Sequence, residues 1–253
     1  MVHPVGPDGT RRHTPAGYPD GGQITLALSG SEFGTKNYRS AFRYDGPVLQ
    51  LGMPRNDRLV HPDEAEIAAI RARLGIPDGA RVMLYAPTFR EGTMPDLAPM
   101  LRAAEAASVN LIVRLHPLDR ERLKKHPEVP AFLECEKFGT FTLMAAADAV
   151  VTDYSAISIE ASLIKKPVYF YVYDLEDYAA SRGLNFDPLA EMPHCASKDF
   201  GVLLEKILHE PYDFEKLEAF RAQFVETNDR HNVDRIVNLV LRYMSKGVTA
   251  HAR

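Results

Sequence analysis

Short apolar runs that stop abruptly, each followed by a stretch of helical period, recur along most of this chain. Arg81–Ala86 (RVMLYA) is the clearest, a β-branched and aromatic run closed by Pro87, which cannot continue a ladder. Asn110–Leu115 is closed in the same way by His116-Pro117, and Ile24–Ser29, Val48–Gly52, Ala149–Thr152 and Pro167–Tyr171 read as further strands. The spacing of apolar residues predicts helices at Glu32–Phe42, Asp63–Leu74, Leu97–Ala107, Leu118–Lys125, Phe141–Ala147 and Ser155–Ile164, with a weak strand at Ala131–Glu134. From Lys198 onward only helices are predicted, at Phe200–His209, Phe214–Glu226 and Val233–Met244. Strands alternating with helices make βαβ units on a parallel sheet covered on both faces. With right-handed crossovers the fold class is α/β, a Rossmann-like doubly wound parallel sheet. That domain is expected over residues 24–196, with C-terminal helices over 197–253 packing on or across it. Residues 1–23, rich in Gly, Pro and His and without period, are expected to be irregular or disordered.

Composition narrows the function. A net charge of −4 argues against a nucleic-acid partner, which selects a basic excess. The apolar runs Ala145–Val151 and Pro167–Val172 fall far short of the roughly 20 residues a membrane span needs. Cys135 and Cys195 make no zinc or disulfide pattern, which fits a reducing cytoplasm. Lys124-Lys125 and Lys165-Lys166 are too few to anchor the chain electrostatically to a membrane.

In doubly wound sheets the ligand sits outside the carboxyl ends of the strands, so the loops that follow strands carry the function. In Thr152-Asp153-Tyr154-Ser155-Ala156-Ile157-Ser158 a strand runs into a helix start, whose free amides and positive dipole end suit a phosphate. Asp153 and Ser155 are equally ordinary capping residues. Glu160, one turn further on, either accepts hydrogen bonds from ribose hydroxyls or is an exposed or locally capped carboxylate. His116 stands where Pro117 biases it away from helix, placing an imidazole at the sheet edge as a phosphate donor or general acid, or simply as an exposed side chain. Thr88 and Arg90 follow Pro87, and the guanidinium offers a planar fork for phosphate unless Arg90-Glu91 is a plain surface loop. Gly52-Met53-Pro54-Arg55-Asn56-Asp57 shapes a tight turn that presents Arg55 and Asn56, although Asn-Asp is also routine turn chemistry. Asp174, Glu176 and Asp177 lack metal-ligand spacing and are read as a solvated helix start; no metal site is assigned.

Taken together, Gly52–Asp57, Tyr85–Arg90 (YAPTFR), Arg114–Pro117 (RLHP), Val151–Ser155 (VTDYS) with Glu160, and Lys166–Tyr171 (KPVYFY) occur in an order that resembles the CDP-glycerol glycerophosphotransferases, the teichoic acid primases and polymerases. The resemblance runs from about Phe33 to Gly183. It implies a GT-B-like architecture of two Rossmann-like domains, of which this chain carries the CDP-binding one while the N-terminal domain with its catalytic base is largely missing. The implied reaction moves glycerol phosphate from CDP-glycerol, a donor substrate and not a cofactor, to a hydroxyl of a lipid-linked or polymeric polyol-phosphate acceptor. It further implies that the Ser155 helix start, with Thr152, Asp153 and Ser158, holds the diphosphate. His116 contacts or protonates the departing phosphate, and Thr88, Arg90, Arg55 and Asn56 line the nucleotide side. A cytoplasmic enzyme, peripheral on the inner face of the membrane, is expected. A partner chain supplying the missing half would make it a split enzyme, and the alternative is a non-catalytic nucleotide-binding module. Two departures stand out: Ala156 replaces a usual second serine, and Met192-Pro193-His194-Cys195 stands where a Pro-Gly element is usual.

Overall fold

The computed structural model describes residues 24–59, 63–90, 96–123, 137–226 and 229–250. The weak strand read at Ala131–Glu134 and the irregular stretch 1–23 lie outside the described residues. β1 (Ala27–Ser29) and β2 (Val48–Gln50) pair in parallel across α1 (Glu32–Ala41), which Ser31 caps by accepting from the Gly34 amide at 3.1 Å. This pair forms a two-stranded sheet of its own and does not join the main one. α2 (Asn56–Leu59) and α3 (Glu64–Arg73) then lead into the main sheet.

The main sheet uses β3 (Arg81–Tyr85), β4 (Val109–Val113), β5 (Ala149–Thr152), β6 (Val168–Tyr171) and β7 (Ala196–Ser197), all parallel, in the order β4-β3-β5-β6-β7. Its crossovers are α4 (Leu97–Ala106), α5 (Pro117–Leu123) with α6 (Thr140–Ala146), α7 (Ile157–Leu163), and α8 (Leu175–Arg182) with α9 (Pro188–Glu191). α10 (Phe200–His209), α11 (Phe214–Phe224) and α12 (Asn232–Ala250) complete the chain. Val82, Leu84 and Tyr85 of β3, Val150 and Val151 of β5 and Phe170 of β6 are wholly buried. Burial of successive strand residues, whose side chains point to opposite faces, means that both faces are covered. α4 packs with α10, α3 with α6 and α7 with α11.

Because β3 lies between β4 and β5, the chain moves one way from β3 to β4 and the other way from β4 to β7. The gap between the carboxyl ends of β3 and β5 is therefore the topological switch point. β7, at the far edge of the sheet, is two residues long and has no counterpart among the strands read from the sequence.

α12 is tied back to the loop after β2. The Asp57 carboxylate accepts from the Asn232 side-chain amide at 2.6 Å and from the Val233 backbone at 2.8 Å, satisfying donors at the helix start. Gly52 has φ +82°, and a Cβ there would lie 1.9 Å from Asn232 Oδ1, so both backbone and space require glycine. Val233, Val237, Val240, Leu241 and Met244 leave an apolar stripe of α12 in solvent, each 45–63% exposed. Among the described residues no helix is long and apolar enough to cross a membrane.

Candidate functional site

Pro87 ends β3, and Ala86–Arg90 runs across the carboxyl edge of the sheet toward the end of β5. There Asp153, entirely buried, accepts from the Thr88 amide at 2.9 Å, the Thr88 hydroxyl at 2.8 Å and Arg90 Nη2 at 2.8 Å. These bonds lock the loops on either side of the switch point to each other. Arg90 is itself buried and saturated. Its Nε donates to Asp174 Oδ2 at 2.6 Å, Nη2 to Asp174 Oδ1 at 3.1 Å and Nη1 to the Thr88 carbonyl at 2.8 Å. The rings of Tyr178, Tyr154 and Tyr173 surround its guanidinium carbon at 4.9, 5.4 and 5.7 Å. Tyr154 stacks on Tyr178 at 4.1 Å and donates its hydroxyl to Asp174 at 3.3 Å.

Arg90 was read as a fork open to phosphate or as a surface residue; here it is an internal brace between two carboxylates. The reading of Asp174 as part of a solvated helix start is corrected too. Glu176 and Asp177 face solvent, but Asp174 turns inward because Arg90 offers it a bidentate partner. Among the described residues no three His, Cys, Asp or Glu side chains gather as a metal set. Burial opposes the charge on Arg90, yet Asp174 and Asp153 outweigh it and hold the guanidinium firmly protonated. Burial likewise raises the Asp153 carboxyl above its ordinary range, against the pull of Arg90 and Thr88. Tyr85, at the end of β3, keeps a buried hydroxyl with no partner among the described residues, and burial pushes its pKa up.

His116 projects from the loop after β4 into solvent, with its ring 5.1 Å from that of Phe89. Its Nδ1 accepts from the Leu118 amide at 3.3 Å. With Nδ1 accepting, Nε2 is the ring nitrogen left to donate. On the far side of the switch point the strand-to-helix turn differs from expectation. α7 begins at Ile157 with Ala156 at the cap, so Ser155 is not the N-cap residue, although its Oγ accepts from the Ile157 amide at 3.3 Å. Among the described residues no acceptor takes the amides of Ser155 and Ala156, and Ser155 is only half-buried. Thr152 and Ser158, grouped with it from sequence, are buried and spend their hydroxyls internally, on the Ala86 carbonyl at 2.7 Å and the Ser155 carbonyl at 2.8 Å.

Glu160 is buried rather than exposed, and Arg55 Nη2 lies 2.6 Å from its Oε1. Burial raises its carboxyl above the ordinary range and Arg55 lowers it in part. Arg55 reaches it because α2 packs on α7. Asn56, which opens α2, is 4% exposed, and its Oδ1 has no donor among the described residues. The structure thus brings Thr88, Arg90, Asp153, Ser155 and His116 to one edge, with Arg55, Asn56 and Glu160 along the adjoining α2–α7 contact. A separate groove of about 910 Å³ runs between Ser162–Lys165 and α11, at the opposite end of α7.

Sequence reasoning missed Asp174 and the tyrosines around Arg90. Tyr173, two residues past the strand that ends at Tyr171, carried the one available signal, and Tyr154 and Tyr178 carried none.

Residues 16–242 match the family described as CDP-Glycerol:Poly(glycerophosphate) glycerophosphotransferase, a longer stretch than the motifs alone delimited. Among curated relatives, the teichoic acid ribitol-phosphate primase of Bacillus spizizenii is 29% identical over 214 residues, 79% of this chain and 54% of the relative. The teichoic acid glycerol-phosphate primase of Bacillus subtilis is 27% identical over 224 residues, 85% of this chain and 57% of the relative. A solved structure of the wall teichoic acid polymerase TagF soaked with CDPG superposes with a TM-score of 0.76 at 22% identity, covering 98% of this chain and 66% of that one. At that identity the likeness establishes the fold. The chain spans little more than half the length of these two relatives.

Proposed function

Because the chain belongs to the CDP-glycerol:poly(glycerophosphate) glycerophosphotransferase family, we propose that it binds CDP-glycerol at the switch point and transfers glycerol phosphate to an acceptor hydroxyl in the synthesis of a teichoic-acid-like polymer. The observation that carries this reading is the meeting of the loops after β3, β4 and β5. Thr88 is bonded to Asp153 across the β3–β5 gap, and Phe89 beside it packs against His116. In the reaction the acceptor oxygen attacks the β-phosphorus that bears glycerol, the bond from that phosphorus to the bridging oxygen breaks, and CMP departs with the bond's electron pair. His116 donates from Nε2 to the departing phosphate. The free amides of Ser155 and Ala156 neutralise charge on the transferred group. The acceptor's proton passes to a base that the family carries in its N-terminal domain. Acceptors of the lipid-linked or polymeric polyol-phosphate class place the enzyme peripherally on the inner face of the cell membrane.

Calorimetric titration of the purified chain with CDP tests this. Micromolar binding, weakened about tenfold by His116→Ala, is expected for the loss of one charge-assisted hydrogen bond. A folded sample that takes up no CDP at millimolar concentration overturns it, and tighter binding of UDP or GDP reassigns the donor.

A further inference from the structure

Arg55 and Glu160 are unequally placed. The Glu160 side chain is 8% exposed and that of Arg55 is 52% exposed, 2.6 Å away from it. The second carboxylate oxygen, Oε2, has no donor among the described residues, and neither has the buried Oδ1 of neighbouring Asn56. One buried acceptor without a donor, Asn56 Oδ1, is therefore next in sequence to the arginine of this ion pair, and the carboxylate keeps one oxygen that Arg55 does not occupy. An anion cannot settle there, since it would meet Glu160 and a carbonyl oxygen. A neutral group rich in hydroxyls can. Of the two arginines in the loops on the nucleotide side, Arg90 is held by two carboxylates and a carbonyl. Arg55 has only Glu160 as an ion-pair partner among the described residues and is half-exposed on its outer side.

We infer that Arg55 and Glu160 form an exchangeable pair that makes the site demand a ribose and a phosphate on the same ligand; the inference rests on the nucleotide-site reading above. Withdrawing Arg55 without replacement leaves the Glu160 carboxylate, 8% exposed, without its cation, which is unfavourable even though water screens the arginine. The two hydroxyls of a ribose are the replacement: they donate to Glu160 and release the guanidinium, whose fork then turns to the phosphate. A nucleoside without phosphate breaks the pair and gives Arg55 nothing in exchange. A phosphate without ribose draws Arg55 away and leaves Glu160 alone. Only a nucleotide completes both halves, so Arg55 is a specificity-determining residue that acts against partial ligands as well as for whole ones.

Calorimetry with CDP, cytidine and inorganic pyrophosphate on the wild type, Arg55→Ala and Glu160→Gln tests this, with circular dichroism to verify folding. Arg55 is half-exposed on a turn, so its truncation leaves the core intact. In Arg55→Ala, CDP is expected to bind about tenfold more weakly and cytidine several-fold more tightly, because no pair has to open. In Glu160→Gln, pyrophosphate is expected to bind several-fold more tightly, because Arg55 is no longer held. Cytidine weakened or unchanged in Arg55→Ala, or pyrophosphate unimproved in Glu160→Gln, overturns the exchange while CDP binding by the wild type stands. Absence of CDP binding by folded wild type overturns the nucleotide-site reading and the exchange with it.

Discussion

Arg90 and Arg55 each pair with a carboxylate at the same edge of the sheet, yet they do different work. Arg90 is enclosed, with both carboxylates of Asp153 and Asp174, the Thr88 carbonyl and three tyrosine rings filling its surroundings. Arg55 has one carboxylate and an open flank. The first arrangement leaves no donor to spare, so it fixes the geometry of the two loops at the switch point. The second keeps a cation in reserve at modest cost, since a half-exposed ion pair is screened by water. An arginine in a phosphate-handling site is thus not by its presence a phosphate ligand; the number of acceptors already on its fork decides.

The contrast can be broken most decisively at Arg90. Arg90→Ala leaves Asp153 buried and unpaired and is expected to lower stability by about 3–5 kcal/mol, read from urea unfolding. A loss under about 1 kcal/mol would mean that the network relaxes freely and that the distinction between the two arginines fails. Asp174→Asn keeps Arg90 paired to Asp153 and removes one charged acceptor, so about 1.5–3 kcal/mol is expected by the same measurement. Arg55→Ala is expected to cost about 1 kcal/mol at neutral pH, discounted for exposure, and the loss should depend on pH. Burial holds the Glu160 carboxyl above its ordinary 4.5, so the folded chain binds that proton more tightly than the unfolded one. Stability from this group therefore falls as pH rises from 4.5 through the folded value, and falls further when Arg55 is absent. The gap between Arg55→Ala and wild type should close below pH 4.5 and open above it, measured by unfolding across that range. Tyr154→Phe keeps the ring over Arg90 and loses one long hydrogen bond to Asp174, for about 0.5 kcal/mol. A larger loss would show that the hydroxyl, and not the stack on Tyr178, holds Asp174 in place.

The main strands were legible because each is an apolar run with a chemical stop at its end. Pro87 and Pro117 mark the loops that carry Thr88 and His116, and parallel topology then brings those loops together without further information. The individual side chains were less legible. Arg90 and Asp174 lie 84 residues apart, and nothing in local spacing distinguishes an inward Asp174 from its solvated neighbours Glu176 and Asp177. Thr152 and Ser158 fit a phosphate site by residue type, but a hydroxyl beside a free backbone carbonyl bonds to it, and both do. α2 and β7 are too short for any period to develop, with four and two residues. The separate β1–β2 sheet was invisible for a related reason, since a strand's periodicity says which face is buried and not which sheet it joins.

The tie between Asp57 and Asn232 spans 175 residues. Closing so long a loop is entropically slow, and the partners it needs are made last as the chain is synthesised. Every strand of the main sheet ends by Ser197, so the sheet can assemble while the loop at 52–57 still lacks its anchor. That loop carries Arg55. The edge around Asp153 needs no residue beyond Asp174, whereas the loop presenting Arg55 gains its tie to α12 only once Asn232 has been made. Timing during folding thus divides the two arginines as sharply as burial does.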